Sequence, residues 1–296
     1  IPKKDHYNYL CQQRLQIAID TMGHTGEIPI EFYFQRIAPI QVNYLGFAGS
    51  TFIPTMDYRF VDHHTDPAQI NAFHSEQLIR LPDCFLNYNP ILGAPNIKPA
   101  PFTKNDFITF GSFNNFSKIS ETVFSVWSQI LTRVPKSKLL LKSWNDNDKE
   151  RNEYLLKIAQ SQGIEKNRII FQPRAETYEA HLNLYNDMDI ALDTFPYNGT
   201  TTTFEALLMG TPVVALEGSA HRSRVGYSIL RNIGLSSLCA KTTQSYVDTA
   251  QYMSNNHDLI EQLNSGLRQK LLNSALCNKK GFIQNFEEAL KSLIRH

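Results

Sequence analysis

Four consecutive threonines, Thr200–Thr203, follow a Pro-Tyr-Asn-Gly turn and precede an apolar segment that begins near Phe204. Because β-branched threonines are poor helix formers but good helix-start residues, we predict that a helix begins at this run. The free amides at Thr201–Thr203 and the positive end of the helix dipole would form a site for a diphosphate. Glu205, one turn further on, could accept hydrogen bonds from paired sugar hydroxyls. The alternative, which the residues alone favour, is that the threonines only cap the helix.

A second loop with chemical potential has the sequence GSFNNFSKIS, Gly111–Ser120, and also lies between a predicted strand and a predicted helix. Lys118 in this loop stands near the start of a helix, where its charge opposes the dipole and gains no structural benefit. A cation there could stabilise the charge that develops on a departing diphosphate. It could equally be a solvated surface lysine, and the residues leave both interpretations open.

The histidines give weaker signals. His181, in a predicted helix, could stack on a base with Arg174 nearby, although a lone helical histidine more often has only a structural role. His63 and His64 lack the i, i+4 spacing and the carboxylate partner of a metal pair, so no metal site is predicted. His24, in the loop after an early predicted strand, is a candidate polar contact rather than a base.

Alternating strands and helices must position these residues. From Asp106 onward the alternation is strict, which is typical of a doubly wound parallel sheet. Upstream, Leu15–Asp20 and Ile40–Phe47 have the pattern of strands followed by ligand loops. The segment Leu81–Pro101 carries five prolines and is predicted to be a linker. We therefore predict an α/β fold with one domain over residues 1–103, a second over 104–278, and a terminal helix over 279–296.

Composition restricts the classes of function. The chain has 296 residues, 29 Lys and Arg against 28 Asp and Glu, and a formal net charge of +1. No strong global field would attract nucleic acid or an anionic membrane, so neither is predicted as a partner. No apolar stretch approaches the ~18–20 residues that span a bilayer. The scattered cysteines, without a C-x-x-C pair, are those expected of a reduced, cytoplasmic protein.

Several segments together resemble one known family. FGSFNNFSKI, RIIFQPRAE, HLNLYNDMDIALDTFPYNGTTTTFEALLMGTPVV and SRVGYSIL are similar to the catalytic region of the protein O-GlcNAc transferases, especially the bacterial and plant SPINDLY-type members. RIAPIQVNYLGFAGS, MDYRFVD and RLPDCFLNY match the upstream half of the same family. The resemblance implies a GT-B fold, in which two Rossmann-like, doubly wound domains face a cleft. It also implies a metal-independent, inverting glycosyltransferase that uses no cofactor and moves a sugar from a nucleotide diphosphate to Ser or Thr hydroxyls of proteins.

The family's motifs imply roles for individual residues. Lys118 would be catalytic and would neutralise the departing diphosphate. His181 would pack against the base, the threonines would meet the phosphates, and Glu205 would bind the ribose. The donor-binding residues implied by the motifs are Asn115, Arg174, His181, Gly199, Thr200, Thr201, Thr202 and Glu205. The residues implied for the sugar and acceptor side are His24, Leu45 and Gly46.

The resemblance leaves the donor and the extent of the activity open. UDP-GlcNAc is the first expectation for the donor and GDP-fucose, as in SPINDLY-type relatives, is the second. Family members carry a His-containing motif in the first βα unit and usually tetratricopeptide repeats before it, and this chain has neither motif. We therefore expect the N-terminal domain to be incomplete here and the repeats to lie upstream in the full-length protein. A non-catalytic nucleotide-sugar-binding module and a generic GT-B enzyme acting on small or lipid-linked acceptors are the alternatives.

Overall fold

The computed structural model describes residues 3–25, 30–91, 93–142 and 149–294. Within these ranges the strands form two parallel sheets, one of four strands and one of six. None of the helices in the described part of the chain is both long and apolar enough to cross a membrane. The α/β class predicted from the alternation is confirmed.

The elements are numbered in chain order, and short 3-10 turns lie between several of them. The strands are β1 (Ile17–Asp20), β2 (Ile40–Asn43), β3 (Tyr58–Asp62), β4 (Gln77–Leu81), β5 (Ile108–Ser112), β6 (Ser137–Lys142), β7 (Ile169–Gln172), β8 (Ile190–Leu192), β9 (Val213–Leu216) and β10 (Cys239–Ala240). The helices are α1 (Lys3–Gln12), α2 (Glu121–Arg133), α3 (Lys149–Ser161), α4 (Tyr178–Asn183), α5 (Thr201–Leu208), α6 (Val225–Asn232), α7 (Thr243–Asn255), α8 (His257–Leu272) and α9 (Lys279–Ile294).

The chain divides into two compact units that differ from the predicted boundaries of 1–103, 104–278 and 279–296. The first unit comprises Ile1–Asn87, Ser219–Arg222 and Asn278–His296. The second unit comprises Tyr88–Gly218 and Ser223–Cys277. The boundary falls within the proline-rich segment, of which the part from Tyr88 onward belongs to the second unit, and the terminal helix belongs to the first unit.

The first unit is built on the sheet β1-β2-β3-β4, in which each strand pairs in parallel with the next one along the chain. Strand order advances in one direction only across these described strands, as it does in one half of a doubly wound sheet. Val42, Phe60 and Leu81 from three neighbouring strands form a buried cluster with Leu293 of α9. The apolar stripe of α9 therefore covers a face of this sheet. For this reason the predicted terminal helix is part of the first unit.

The proline-rich segment is held by specific contacts within the second unit. The amide of Lys98 donates to Oδ1 of Asn186 at 2.8 Å. Arg268 on α8 donates to the carbonyl of Pro95 at 2.6 Å, and the amide of Phe102 donates to Asp189 at 2.9 Å. Prolines exclude helix and central strand, as predicted, but the backbone groups of the segment bond to the second unit instead of forming a free linker.

The second unit has strand order β10-β9-β8-β5-β6-β7, again with every described pair parallel. The order reverses between β5 and β8, where Gly111 pairs with Ala191. The helix predicted after the loop Gly111–Ser120 is α2, and its buried residues include Val123, Trp127 and Ile130. In an open parallel sheet the carboxyl ends of the strands at such a reversal form a crevice for ligands. The loops that follow β5 and β8 contain Lys118 and the threonine run, which the sequence indicated as candidates for binding a diphosphate.

Candidate functional site

A pocket of about 560 Å³ lies in the second unit and is lined from the loops that follow β5 and β8. This volume suits a small-molecule ligand. Of the residues predicted to take part in catalysis or donor binding, those that line it are Asn115, Lys118, Arg174, His181, Thr200, Thr201, Thr202 and Glu205. The strand reversal therefore brings together side chains that are far apart in sequence.

The threonine run forms the start of α5, and its hydroxyls do not act as simple caps. Thr200 is the N-cap residue, yet its side chain makes no capping hydrogen bond within the described structure. Oγ1 of Thr202 donates to Oδ1 of Asn114 at 2.9 Å, and Oγ1 of Thr203 donates to the carbonyl of Gly199 at 3.2 Å. The amides of a first helical turn have no intrahelical acceptor, so this helix start can bind an anion.

Asp193, which the sequence analysis did not single out, joins the two loops beneath the pocket. Its Oδ1 accepts hydrogen bonds from the amide of Gly199 at 2.6 Å, the amide of Thr194 at 2.9 Å and Nδ2 of Asn114 at 3.2 Å. Burial raises the pKa of Asp193 to about 7, although the Gly199 amide and the charge of Lys118 act in the opposite direction. Asp193 directly follows the buried strand β8, and this position was the signal in the sequence that could have identified it as a residue linking the loops.

Gly199 does not line the pocket but shapes the loop beside it. A Cβ atom at this position would lie 2.4 Å from Oγ1 of Thr202 and 2.8 Å from Oδ1 of Asn114. Both distances are too short for a carbon contact. Only glycine lets the loop after β8 approach Asn114 this closely.

Lys118 is held against the loop after β8. Its Nζ donates to the carbonyl of Asn198 at 2.8 Å and lies 4.0 Å from the centre of the Tyr197 ring. Burial lowers its pKa below the ordinary lysine value, while the charge of Asp193 acts in the opposite direction. Oδ1 of the exposed Asn115 accepts from the Ser117 amide at 2.9 Å and so supports the turn that carries Lys118. This environment differs from that of a solvated surface lysine.

His181 stands in a chain of hydrogen bonds that the sequence analysis missed. Its Nδ1 lies 2.7 Å from Nζ of Lys142, and its Nε2 lies 2.9 Å from Oε2 of Glu205. The hydroxyl of Tyr185 donates to the same Oε2 at 3.0 Å. Glu205 is therefore buried and is hydrogen-bonded by His181, Tyr185 and Tyr178, besides lining the pocket.

The charges around this chain shift the pKa of Lys142. Burial lowers it to about 8, with Arg174 acting in the same direction and Glu205 in the opposite one. Burial, together with Glu205, raises the pKa of Tyr185 well above its ordinary value, so its hydroxyl keeps its proton. Lys142 is the last residue of β6, and a lysine that ends an apolar strand at the carboxyl edge was a signal that could have been read.

The residues predicted for the sugar and acceptor side lie in the first unit, after β1 and β2. Nε2 of His24 lies 2.8 Å from the carbonyl of Thr51, and its ring meets the Phe47 ring edge-on at 4.8 Å. Leu45 is exposed and has a left-handed φ of 79°. A Cβ atom on Gly46 would lie 2.2 Å from the Thr21 carbonyl oxygen. The three residues thus belong to one compact edge of the first sheet.

Comparison with known proteins identifies relatives over nearly the whole chain. Residues 5–89 and 102–286 match the profile of glycosyl transferase family 41. The "Probable UDP-N-acetylglucosamine--peptide N-acetylglucosaminyltransferase SPINDLY" of Petunia hybrida is 38% identical over 295 residues, covering 100% of this chain and 32% of the relative. Its Arabidopsis thaliana counterpart is 37% identical over 294 residues, covering 99% and 32%. The chain thus spans about a third of the length of these relatives.

Solved structures show the same architecture. A mutant of the Thermobaculum terrenum O-GlcNAc transferase superposes with a TM-score of 0.92 at 30% identity, covering 100% of this chain and 56% of that one. The sucrose-phosphate synthase of Thermosynechococcus elongatus superposes with a TM-score of 0.65 at 14% identity, covering 100% and 80%, which is a likeness of fold alone. The GT-B class expected from the sequence is confirmed.

Proposed function

This chain belongs to glycosyl transferase family 41, and from that premise we propose that it transfers GlcNAc from UDP-GlcNAc to Ser or Thr hydroxyls of proteins. The names of its SPINDLY relatives and of the bacterial O-GlcNAc transferase support this donor and a peptide acceptor. The chain covers about a third of the length of the SPINDLY relatives. We propose that tetratricopeptide repeats upstream of it select the acceptor.

One observation carries the proposal: the ammonium group of Lys118 and the first turn of α5 line the same pocket. A diphosphate bound there would meet the helix amides and the dipole at one side and a fixed cation at the other. The Asn198 carbonyl and the Tyr197 ring hold that cation in place before the donor arrives. Such preorganised charge stabilises a leaving group most strongly when it does not have to move during the reaction.

The proposed reaction is a direct displacement at the anomeric carbon, without a metal ion. The acceptor oxygen forms a bond to this carbon, the bond to the diphosphate oxygen breaks, and the configuration inverts. The electron pair of the broken bond stays on the diphosphate, where Lys118 neutralises the new charge. The acceptor hydroxyl releases its proton to water as its bond to the sugar forms.

Donor binding tests the first half of the proposal. Titration calorimetry of the chain with UDP-GlcNAc should give measurable binding that is unchanged by EDTA, whereas dependence on a divalent cation would contradict the metal-free mechanism. Parallel titration with GDP-fucose decides between the two donors expected from the sequence. Absence of binding to either nucleotide sugar would overturn the proposed function.

Transfer tests the second half. Lys118→Ala should reduce kcat by about 10²–10³, the usual effect of removing one preorganised group that stabilises developing charge. Its effect on the Kd of UDP-GlcNAc should be smaller, because the charge of the diphosphate is greatest as it leaves. The matched control is Lys136→Ala, an exposed lysine before β6. Mass spectrometry of Ser- and Thr-containing peptides measures the transfer, and binding without transfer by the unmodified chain would indicate a non-catalytic module.

A further inference from the structure

His181 lines the pocket, and most of its side chain is enclosed by the protein. Its side chain is 13% exposed, and the rings of Phe113, Tyr178 and Tyr185 surround it with centroid distances of 6.0, 5.9 and 5.6 Å. Both ring nitrogens have a partner in the protein: Nδ1 lies 2.7 Å from Nζ of Lys142, and Nε2 lies 2.9 Å from Oε2 of Glu205. Which nitrogen carries a proton therefore depends on these two partners.

Donor and acceptor chemistry decides between the possible proton positions. An ammonium group has only donors, so Nδ1 beside Lys142 must accept. A carboxylate has only acceptors, so Nε2 beside Glu205 must donate. A proton on Nδ1 would put two donors against each other at 2.7 Å, and its absence from Nε2 would put two acceptors against each other at 2.9 Å. The only arrangement without such a clash has a single ring proton, on Nε2.

Tyr185 strengthens this arrangement from the far end. Its hydroxyl donates to the same carboxylate oxygen that accepts from His181, and Tyr185 keeps its proton because burial raises its pKa. These two donors, together with the hydroxyl of Tyr178, hold the carboxylate of Glu205 in one orientation. In this series of hydrogen bonds, Lys142 donates to the ring of His181. His181 and Tyr185 both donate to the carboxylate of Glu205.

We propose that Lys142 is a positioning residue that fixes His181 with its single proton on Nε2, so that His181 meets the donor's nucleobase with the face of its ring alone. This inference rests on the proposed function for its ligand, but its proton assignment concerns the ligand-free chain. Since both ring nitrogens are engaged by the protein, neither His181 nitrogen reads the base by hydrogen bonding. Stacking on a ring face tolerates different bases.

Nuclear magnetic resonance tests the proton assignment without any ligand. A two-bond ¹H–¹⁵N spectrum of the histidine-labelled chain near neutral pH, below the pKa of about 8 of Lys142, reports the protonation of each ring nitrogen. The His181 signals are assigned by their loss in His181→Gln. We expect an unprotonated Nδ1 and a protonated Nε2. A proton on Nδ1 in the unmodified chain would overturn the proposal.

Substitution of Lys142 tests its positioning role. Lys142→Met keeps the aliphatic stem but removes the donors, so the His181 nitrogen signals should shift towards an average of the two proton positions. Lys142→Arg restores a donor and should return the signals towards their original positions. Lys138→Met, on the same strand with its ammonium over the Phe107 ring, is the matched control and should leave them unchanged. Unaltered His181 signals in Lys142→Met would contradict the role of Lys142, provided circular dichroism shows a folded chain.

Nucleotide binding tests the consequence for the base. Calorimetry should show that Lys142→Met weakens UDP and GDP binding by roughly tenfold each, within the range for lost base stacking. The ratio of the two Kd values should stay within about twofold, and kcat at saturating donor should change little while KM rises. A tenfold change of the ratio would mean that Lys142 reads the base itself. If neither UDP nor GDP binds the unmodified chain, the proposed function and the nucleobase role fail together, and the spectrum alone decides the proton assignment.

Discussion

Gly199 occupies a position where any larger side chain would collide with both loops that form the pocket. Gly199→Ala would place a methyl group 2.4 Å from Oγ1 of Thr202. We expect the loop after β8 to shift and the Kd for UDP to rise at least tenfold, because the helix start that we propose binds the phosphates depends on this loop. Calorimetry measures the change. Gly266→Ala is the control, since a Cβ atom there meets nothing within 4 Å, and an equal loss of affinity in both variants would contradict the explanation.

Asp193 should make stability depend on pH. Its pKa of about 7 in the folded chain lies above the ordinary value of 3.8, so the folded state binds this proton more tightly than the unfolded state. The resulting stabilisation is complete below pH 3.8 and is lost as pH rises through about 7. Asp193→Asn has no carboxylate to titrate at this position. The melting temperature of this variant, relative to that of the unmodified chain, should therefore rise between about pH 5 and about pH 8. The exposed Asp106→Asn should show no such gain.

At this scale the sequence predicted residues that lie within a recognisable local motif. Lys118 and the threonine run could be found because their loops follow predicted strands, whereas Asn115 was indicated only by the family resemblance. Lys142 and Glu205 could not be linked to His181 in advance, since they lie 39 and 24 positions away along the chain. Such a network depends on strand order, which residue types do not specify.

Among the elements of the first unit, a buried acidic residue connects three separate segments. The carboxylate of Asp66, which follows β3, lies 2.5 Å from Nδ1 of His221 and 3.0 Å from Nε2 of His74. Burial alone would raise the pKa of Asp66, but hydrogen bonds from the two histidines hold it well below its ordinary value. The short segment around His221 is thereby fixed to the first unit.

Asp66→Asn should destabilise the first unit by about 3 kcal/mol at neutral pH, because it removes one partner of a buried charged network. Since the pKa of Asp66 is depressed, the unmodified chain keeps this stabilisation above pH 3.8 and loses it as pH falls further. Urea unfolding at neutral pH measures the loss. His63→Ala, at an exposed neighbouring histidine, is the control and should change stability by less than about 0.5 kcal/mol.

Periodicity predicted most elements but not all of their partners. The amphipathic pattern of the last helix indicated α9 correctly, yet an apolar stripe does not specify which sheet it covers. The prolines of Leu81–Pro101 correctly indicated a segment without helices. They did not indicate its hydrogen-bond partners, such as Asn186 and Arg268, which lie far away along the chain.

The sequence drew attention to His63 and His64, which follow β3, and they were rejected as a metal pair. The histidines that share a partner in the structure are His74 and His221, which both contact Asp66.

At the scale of the whole molecule, α9 completes a core that begins near the other end of the chain. The Phe286 ring lies 4.7 Å from the Phe60 ring and 5.1 Å from the Tyr44 ring. Phe286→Ala should cost about 3 kcal/mol of first-unit stability, at the lower end of the range for core phenylalanines because Phe286 is only partly buried. Thermal unfolding measures it. Ile283→Ala on the same helix, at a 44% exposed position, should cost much less, and equal costs would contradict the packing argument.

The overall class followed from the alternation and the motifs, because both reflect local sequence. The unit boundaries did not, because the first unit uses three separate stretches of chain and the second uses two. Sequence patterns change at the ends of elements, and they do not record which unit an element joins. The assignments of Ser219–Arg222 and of α9 required the tertiary structure.

This discontinuity sets an order of events during synthesis. The second unit ends at Cys277, so all of it leaves the ribosome before α9 does. The first unit, although its sheet is made first, must wait for α9. Until Leu293 emerges, the apolar face around Val42, Phe60 and Leu81 stays uncovered and open to non-native association. The unit whose strands are made first is therefore the unit that is completed last.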